Sequence, residues 1–180
     1  MPDWKIDPVH SAIHFSVRHM VVSKTRGKFG KWTGEIALDP ARLAEARVEA
    51  RIEAASIDTN DAQRDAHLRS PDFLHAEHYP ELTFKSKKVQ DLGGDRLRLT
   101  GDLTIRGVTK EVALEVESMG RAKDPWGGER IGFSGKGRIN REDFGLTWNT
   151  VLEAGGLAVG KDVDIEIELE AVRQLAVQAA

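Results

Sequence analysis

Apolar and polar residues alternate with a period of two through most of the chain, which puts successive side chains on opposite faces of extended strands. Ile13, Phe15, Val17, His19 and Val21 form one apolar face, opposed by Ala12, His14, Ser16 and Arg18. Trp32, Gly34, Ile36 and Leu38 form a second, with a bulge or kink expected at Gly30. Val48, Ala50, Ile52 and Ala54 form a third, and Leu82 and Phe84 open a fourth. Leu97, Leu99, Leu103 and Ile105 make a fifth, Val112, Leu114 and Val116 a sixth, and Ile131, Phe133 and Ile139 a seventh. The last is the clearest: Val163, Ile165, Ile167 and Leu169 alternate with Asp164, Glu166, Glu168 and Glu170. Glycines at Gly93-Gly94-Asp95, Arg106-Gly107-Val108 and Trp126-Gly127-Gly128 suit turns that need positive φ. Short connections predict antiparallel neighbours, because parallel ones need long crossovers. About eight one-sided strands are satisfied by a sandwich or by a sheet closed on itself, and closure also removes exposed edges. The expected fold class is therefore all-β, an eight-stranded antiparallel barrel.

One stretch breaks the rhythm. From Thr59 to Tyr79 the alternation stops and helix signals replace it. Asn60 is the expected cap of a first helix, with Gln63 completing a capping box. Asp65 and Arg69 have the spacing of an i,i+4 ion pair. Ser70 before Pro71 reads as a second cap and first helical position. A short helical insert near residues 60–78 is thus expected across one barrel mouth. Two irregular stretches, 140–145 and 150–160, are expected to line an opening as well. The sequence shows no repeat, linker or low-complexity tract, so residues 1–180 read as one domain with its core at about 4–172.

Composition narrows the function. The chain of 180 residues is 40% hydrophobic and 31% charged, with a net charge of −3, which lacks the basic character of a nucleic-acid binder. Without cysteine there is no disulfide, thiolate ligand or cysteine nucleophile. No run of about 18 apolar residues occurs, so stable membrane insertion by a helix is not expected. The opening MPDWKIDPVHS has neither a basic leader nor an apolar run of signal-peptide length. That predicts a cytoplasmic protein, or a periplasmic one if an exported precursor has been trimmed.

Candidate chemistry is sparse. Gly155 to Asp162 approaches a phosphate-binding loop, but Asp162 stands where a metal-binding hydroxyl is required, and a strand follows where the motif needs a helix. Gly132-Phe133-Ser134-Gly135 fails as a nucleophile elbow because Lys136 takes the final glycine position. His10 and His14 on an extended segment are roughly 13 Å apart, too far to share an ion with ligand bonds of about 2 Å. His75 and His78 can meet on a helix but lack a third ligand, so no metal and no cofactor are expected. His19 stands on an apolar face, either as a hydrogen-bonded core histidine or as a polar contact inside a cavity. Arg64 and His67 lie one helical turn apart and can face one target, such as an anionic or polar head group. The equal alternative is that Arg64 and Asp65 tie the insert to the barrel. The carboxylates at 164, 166, 168 and 170 read as a solvated outer face. Trp4, Trp32, Trp126 and Trp148 read as core or rim residues, the inward ones touching anything enclosed.

The motifs WKIDPVHSAIHFSVRHMVVSKTRGKFGKWTGEI, ASIDTNDAQRDAHLRSPDFLHAEHYPELTFKS, GDLTIRGVTKEV, RINREDFGL and VDIEIELEA occur in that order. With them the chain resembles the YceI-like family of polyisoprenoid-binding proteins from Trp4 to about Val172. The resemblance implies a lipocalin-like barrel around a long apolar tunnel that takes polyisoprenoid or fatty amphiphiles, isoprenoid quinones among them. It implies no catalytic residue, although Asp61, Asp65 and His67 match a family pattern. It also suggests a homodimer. Many members carry an export signal, which the opening residues here do not show.

An eight-stranded barrel can be filled by its own side chains or can hold one ligand. Gly34, Ala50, Ala54, Gly101, Gly135 and Gly137 fall on the apolar phase of their strands and are expected to leave unfilled space that invites an apolar guest. Each isoprene unit buried contributes roughly 3 kcal/mol at about 0.8 per carbon, before ordering costs. The expected function is therefore to carry or sequester a long-chain amphiphile such as an isoprenoid quinone or prenyl phosphate, without catalysis. The strand residues expected to touch it are Ile13, Phe15, Val17, His19, Trp32, Ile36, Ile52, Leu82, Phe84, Leu99, Leu103, Phe133 and Ile139. Arg64, His67 and Phe73 join them from the insert, and Trp148 from the later irregular stretch. Two alternatives stand beside this: an enzyme of lipid metabolism acting through His19, Asp65 and His67, and a filled barrel serving only as an interaction module.

Overall fold

In the computed structural model, residues 3–150, 152 and 157–174 are described. Eleven strands follow one another as β1 (Asp3–Ile6), β2 (Ala12–His19), β3 (Ser23–Phe29), β4 (Trp32–Ala37), β5 (Arg47–Glu53), β6 (Ile57–Asp58), β7 (Glu81–Gly93), β8 (Arg96–Ile105), β9 (Val108–Lys123), β10 (Glu129–Asn140) and β11 (Val159–Arg173). One α-helix, α1 (Ala62–Arg69), stands between β6 and β7. All strand pairings are antiparallel, and β1 closes the sheet by pairing with β4 on one side and β11 on the other.

The eleven strands occupy eight positions around the ring. β11 pairs with β2 along its first part and with β1 along its last. Likewise β4 pairs with β1 and β3 with β2, while β5 pairs with β4 and β6 with β3. Thus β1/β2, β3/β4 and β5/β6 are three interrupted staves, and β7 to β11 are five continuous ones. Each of the eight apolar rows of the sequence falls on a different stave. The expected break at Gly30 separates β3 from β4, and its N–H donates to the Ser56 carbonyl at 3.1 Å.

Several expectations need correction. Val21 is not a strand residue: with Met20 it forms the β2–β3 turn at positive φ. Ala54 opens a 3-10 turn, Ala54–Ser56, that separates β5 from β6. The helix cap is Asp61, whose carboxylate accepts the Arg64 N–H, while Asn60 sits before it at φ 61°. Asp65 makes no pair with Arg69; it is buried and accepts from Thr59 instead. Ser70 ends α1, and the residues after Pro71 form turns, not a second helix. The insert covers the end of the barrel where β2, β8 and β10 finish. Arg106, in the β8–β9 turn, holds it by donating to the Phe73 carbonyl at 2.8 Å.

Two buried clusters organise the interior. The one beneath the insert joins Ile52, Ile57, Leu74, Leu82, Leu103, Ile105, Phe144 and Leu146. At the opposite end Trp4, Leu38, Ile131 and Ala171 pack into a plug, with Leu38 and Ala171 fully shielded from solvent.

Candidate functional site

Between the plug and the insert the barrel encloses a cavity of about 730 Å³, within the roughly 300–1,000 Å³ typical of small-molecule sites. Its wall is made by the inward rows of the staves and is almost wholly apolar. β2 supplies Ile13, Phe15, Val17 and His19, and β4 supplies Trp32 and Ile36. β5 and β7 add Ile52, Leu82 and Phe84; β8 adds Leu99 and Leu103; β10 adds Phe133 and Ile139. Arg64, His67 and Phe73 face the cavity from the insert and Trp148 from the stretch before β11. All the residues expected at the site therefore lie on one continuous surface. The filled-barrel alternative does not describe this interior.

The small residues behave less uniformly than expected. Gly34, Ala50 and Gly135 reach the cavity, whereas Ala54, Gly101 and Gly137 do not. Neighbours lean over most of the glycines: a Cβ at Gly34 would meet Ile6 Cδ1 at 2.7 Å, and one at Gly137 would run into Leu114 Cδ2. At Gly101 the clash is with both the Phe84 ring and the Lys85 carbonyl, at 2.5 and 2.6 Å. Of these four glycines only Gly135 opens on ordinary contact distances, with Ile167 Cβ nearest at 3.7 Å. The hollow comes from the barrel's girth more than from its glycines.

Polar groups gather at the insert end. The Arg64 guanidinium donates from Nε to Thr59 Oγ1 at 2.8 Å and from Nη2 to the Thr59 carbonyl at 2.7 Å. Thr59 in turn donates its N–H and hydroxyl to Asp65. Arg64 and Asp65 thus tie the insert down through a buried threonine, and Arg64 Nη1 has no protein partner among the described residues. His67 Nε2 lies 2.8 Å from Asp72, and its ring stands edge-on to Phe73 and Trp148, with centroids 5.1 and 4.6 Å away. His19 is exposed at the end of β2, so it is a rim residue and not a core histidine. Among the described residues no hydrogen bond joins His19, Asp65 and His67, which gives no support to a shared catalytic role.

The sequence reading missed Arg141. This buried side chain also reaches the cavity and, among the described residues, meets no carboxylate; it donates to the carbonyls of Gly160, Leu146, Trp148 and Val159 at 2.6–3.2 Å. Burial pushes its pKa down from the ordinary arginine value. Asn149 completes the splice, its amide exchanging hydrogen bonds with the backbone of Val159 at 2.7 and 3.0 Å. Ile6 of β1 and Leu43 of the turn before β5 were also missed, because those elements are too short to show a period, and Leu38, read on the apolar row of β4, was not placed on the wall.

Asp7, His10 and Glu170 bring their ligand atoms within 4.8 Å of one another. The Arg130 guanidinium already bonds both carboxylates there and reaches Asp124 as well. Hydrogen bonds from His10 and then Arg130 hold the Asp7 carboxyl down at about 2. His10 serves this network while His14 lies on β2, and the His75 and His78 rings stack at 5.3 Å. Ser134 lies within β10 and donates to Glu168, and Gly160 to Asp162 lie in β11. The start of the glycine-rich segment, 155–156, lies outside the described residues. Trp4 is in the plug and Trp126 is exposed on the β9–β10 turn.

Comparison with known proteins agrees with this architecture. The YceI-like domain model matches residues 4–171. Protein YceI of Escherichia coli O157:H7 is 41% identical over 174 residues, which cover 96% of this chain and 87% of that one. The crystal structure of Burkholderia cenocepacia BcnA superposes with a TM-score of 0.81 at 26% identity, covering 92% of this chain and 99% of BcnA. A polyisoprenoid binding domain from Saccharophagus degradans shares the fold, with a TM-score of 0.69 at 15% identity over 97% of this chain and all of that domain. The motifs, the closed barrel and these matches together place the chain in the YceI-like family.

Proposed function

We propose that this protein carries or sequesters a long-chain amphiphile, with the apolar chain in the barrel and the polar head at the insert. The observation that carries the reading is the cavity of about 730 Å³: apolar along its length, plugged by Trp4, Leu38, Ile131 and Ala171, and polar at the opposite end. An empty apolar hollow forfeits contacts on every side, so it favours an apolar guest. A chain ligand gains roughly 0.8 kcal/mol per buried carbon, and ordering costs leave micromolar or tighter binding after a few isoprene units. Arg64, whose Nη1 has no partner among the described residues, and His67, edge-on to Phe73 and Trp148, suit a flat or anionic head that accepts hydrogen bonds. An isoprenoid quinone or a prenyl phosphate meets both demands. The polyisoprenoid reading of the distant Saccharophagus degradans domain points the same way.

Native mass spectrometry of the freshly purified protein, followed by organic extraction, tests this. The expected result is a lipid adduct that delipidation removes and added prenyl quinone or prenyl phosphate restores. Protein that carries no lipid and takes up neither compound sinks the reading.

A further inference from the structure

The β2–β3 hairpin is chemically unlike the rest of the barrel's exterior. Residues 8–34 hold Arg18, Lys24, Arg26, Lys28 and Lys31 but none of the chain's 29 Asp and Glu residues. The register puts Arg18 directly opposite Lys24, Ser16 opposite Arg26 and His14 opposite Lys28. Facing cations repel across a ladder, so this ribbon is held together in spite of its charge. Among the described residues none of Arg18, Lys24, Arg26 and Lys28 forms an ion pair. Elsewhere Lys87, Arg98, Arg121, Arg138 and Arg173 each hold a carboxylate. Asp164 lies within electrostatic reach of Arg18 and Lys24 but is bound by Arg138.

The same hairpin ends in an apolar tip. Val21 is 61% exposed and Val22 88%. Met20 and Val21 form the turn at φ 51° and 65°, a region where a β-branched residue is an outlier and where Asn or Gly is favoured. Three apolar side chains thus stand in water at a turn that polar residues would suit better. The tip also adjoins the cavity rim. Arg18 and His19 line the cavity, and the Met20 N–H donates to the carbonyl of Ala158, another lining residue.

We infer that this hairpin seats the cavity mouth on an anionic phospholipid surface, which rests on the lipid-carrier reading above. Met20, Val21 and Val22 enter the boundary between head groups and acyl chains, and Arg18 and Lys24 meet phosphates beside them. A lipid then passes between bilayer and barrel without its chain crossing water. Apolar side chains flanked by cations are the pattern of surface-bound peripheral segments. Each Lys or Arg near an anionic surface strengthens binding about fivefold, and the effect falls off within a Debye length. Arg26 and Lys28, farther up the ribbon, therefore add less. A single strand of nucleic acid would seek stacking aromatics on such a ribbon, whereas the tip offers aliphatic side chains.

The test is cosedimentation of the full chain with vesicles of phosphatidylcholine alone and of phosphatidylcholine mixed equally with phosphatidylglycerol. Uptake of a solubilised prenyl quinone, followed by quenching of tryptophan fluorescence, is measured in parallel. Salt-sensitive retention on the mixed vesicles is expected, and little on the neutral ones. Lys24→Gln with Arg26→Gln should weaken retention about tenfold. Val21→Asn with Val22→Ser should abolish it while quinone uptake persists, and the asparagine relieves the turn, so misfolding is not the cause. Equal retention on both vesicle types, or full retention by the tip variant, overturns the inference even where quinone is bound. Stronger capture by single-stranded DNA than by the mixed vesicles overturns it too. Failure of the wild type to take up either quinone or prenyl phosphate counts against the carrier reading, whereas the vesicle comparison alone decides the inference about the hairpin.

Discussion

Gly135 on β10 and Gly101 on β8 share the inward phase of two staves that flank β9, and one substitution should act on them with opposite sign. At Gly135 a new Cβ meets Ile167 Cβ at 3.7 Å and Val116 Cγ2 at 3.8 Å, which are ordinary contacts, and the position lines the cavity. Gly135→Leu therefore extends into free volume between two apolar neighbours. Burying the leucine contributes about 1.5–3 kcal/mol, and replacing a strand glycine adds about 0.5–1. Allowing for imperfect fit, the ligand-free protein gains about 1–2 kcal/mol, which for a chain of this size raises Tm by about 2–8 °C. The same four carbons displace about four carbons of a guest. At about 0.8 kcal/mol each, a long-chain ligand weakens roughly a hundredfold, while one too short to reach position 135 is unaffected. At Gly101 the Cβ lies 2.6 Å from the Lys85 carbonyl and 2.5 Å from the Phe84 ring, so Gly101→Leu overpacks and costs about 1–3 kcal/mol or more. Thermal melts of delipidated protein and titrations with prenyl quinones of two chain lengths measure both effects. Equal destabilisation by the two substitutions, with unaltered chain-length preference, refutes the claim that Gly135 faces the ligand space.

Three further outcomes are expected. The depressed Asp7 carboxyl, at about 2 against an ordinary 3.8, stabilises the fold above about pH 4 and loses that contribution as pH falls through 2. The Tm gap between wild type and Asp7→Asn should therefore be constant near neutrality and close in acid; a gap that widens in acid contradicts the assignment. Arg141→Met takes the guanidinium from the carbonyls of Leu146, Trp148 and Gly160, while that of Val159 keeps Asn149, and should lower the urea midpoint by the equivalent of at least about 2 kcal/mol, with an unchanged midpoint counting against the splice. Val21→Asn removes a β-branched residue from a left-handed turn and should stabilise the protein by about 1 kcal/mol in the same assay; destabilisation would show that Val21 packs more than its exposure indicates.

The barrel was legible because one face of each stave meets the core and the other meets water. That requirement prints a period of two on rows such as Val163 to Leu169, and each row marked one stave. β3 escaped notice because its inward positions are Thr25, Gly27 and Phe29, the glycine roofed by the Phe15 ring, so SKTRGKF offers one apolar side chain and no apolar row. β1 and β6 are too short to display any period. The wall residues could be chosen by phase alone, which is why they fall on one surface. Arg141 could not, since its role depends on carbonyls of residues 146–160 that approach it only in the folded chain. The helix cap was misplaced by one residue for a related reason: Asn60 and Asp61 are both good caps, and the bond from Thr59 to Asp65 decides between them.

The three interrupted staves are adjacent, and this gives the cylinder a hinge side. Among the continuous staves β10 and β11 are laced without a break from Arg130–Val172 to Asn140–Asp162, so parting them means surrendering a whole ladder at once. By contrast β6 holds β3 through only Lys28–Asp58 and Phe29–Ile57. Any dilation needed to admit a bulky, methyl-branched chain falls to that quarter, beneath α1, where few bonds must yield. Amide protons of β6 and the neighbouring edge of β3 should exchange with solvent long before those of β10, and a bound guest should slow the former without touching the latter.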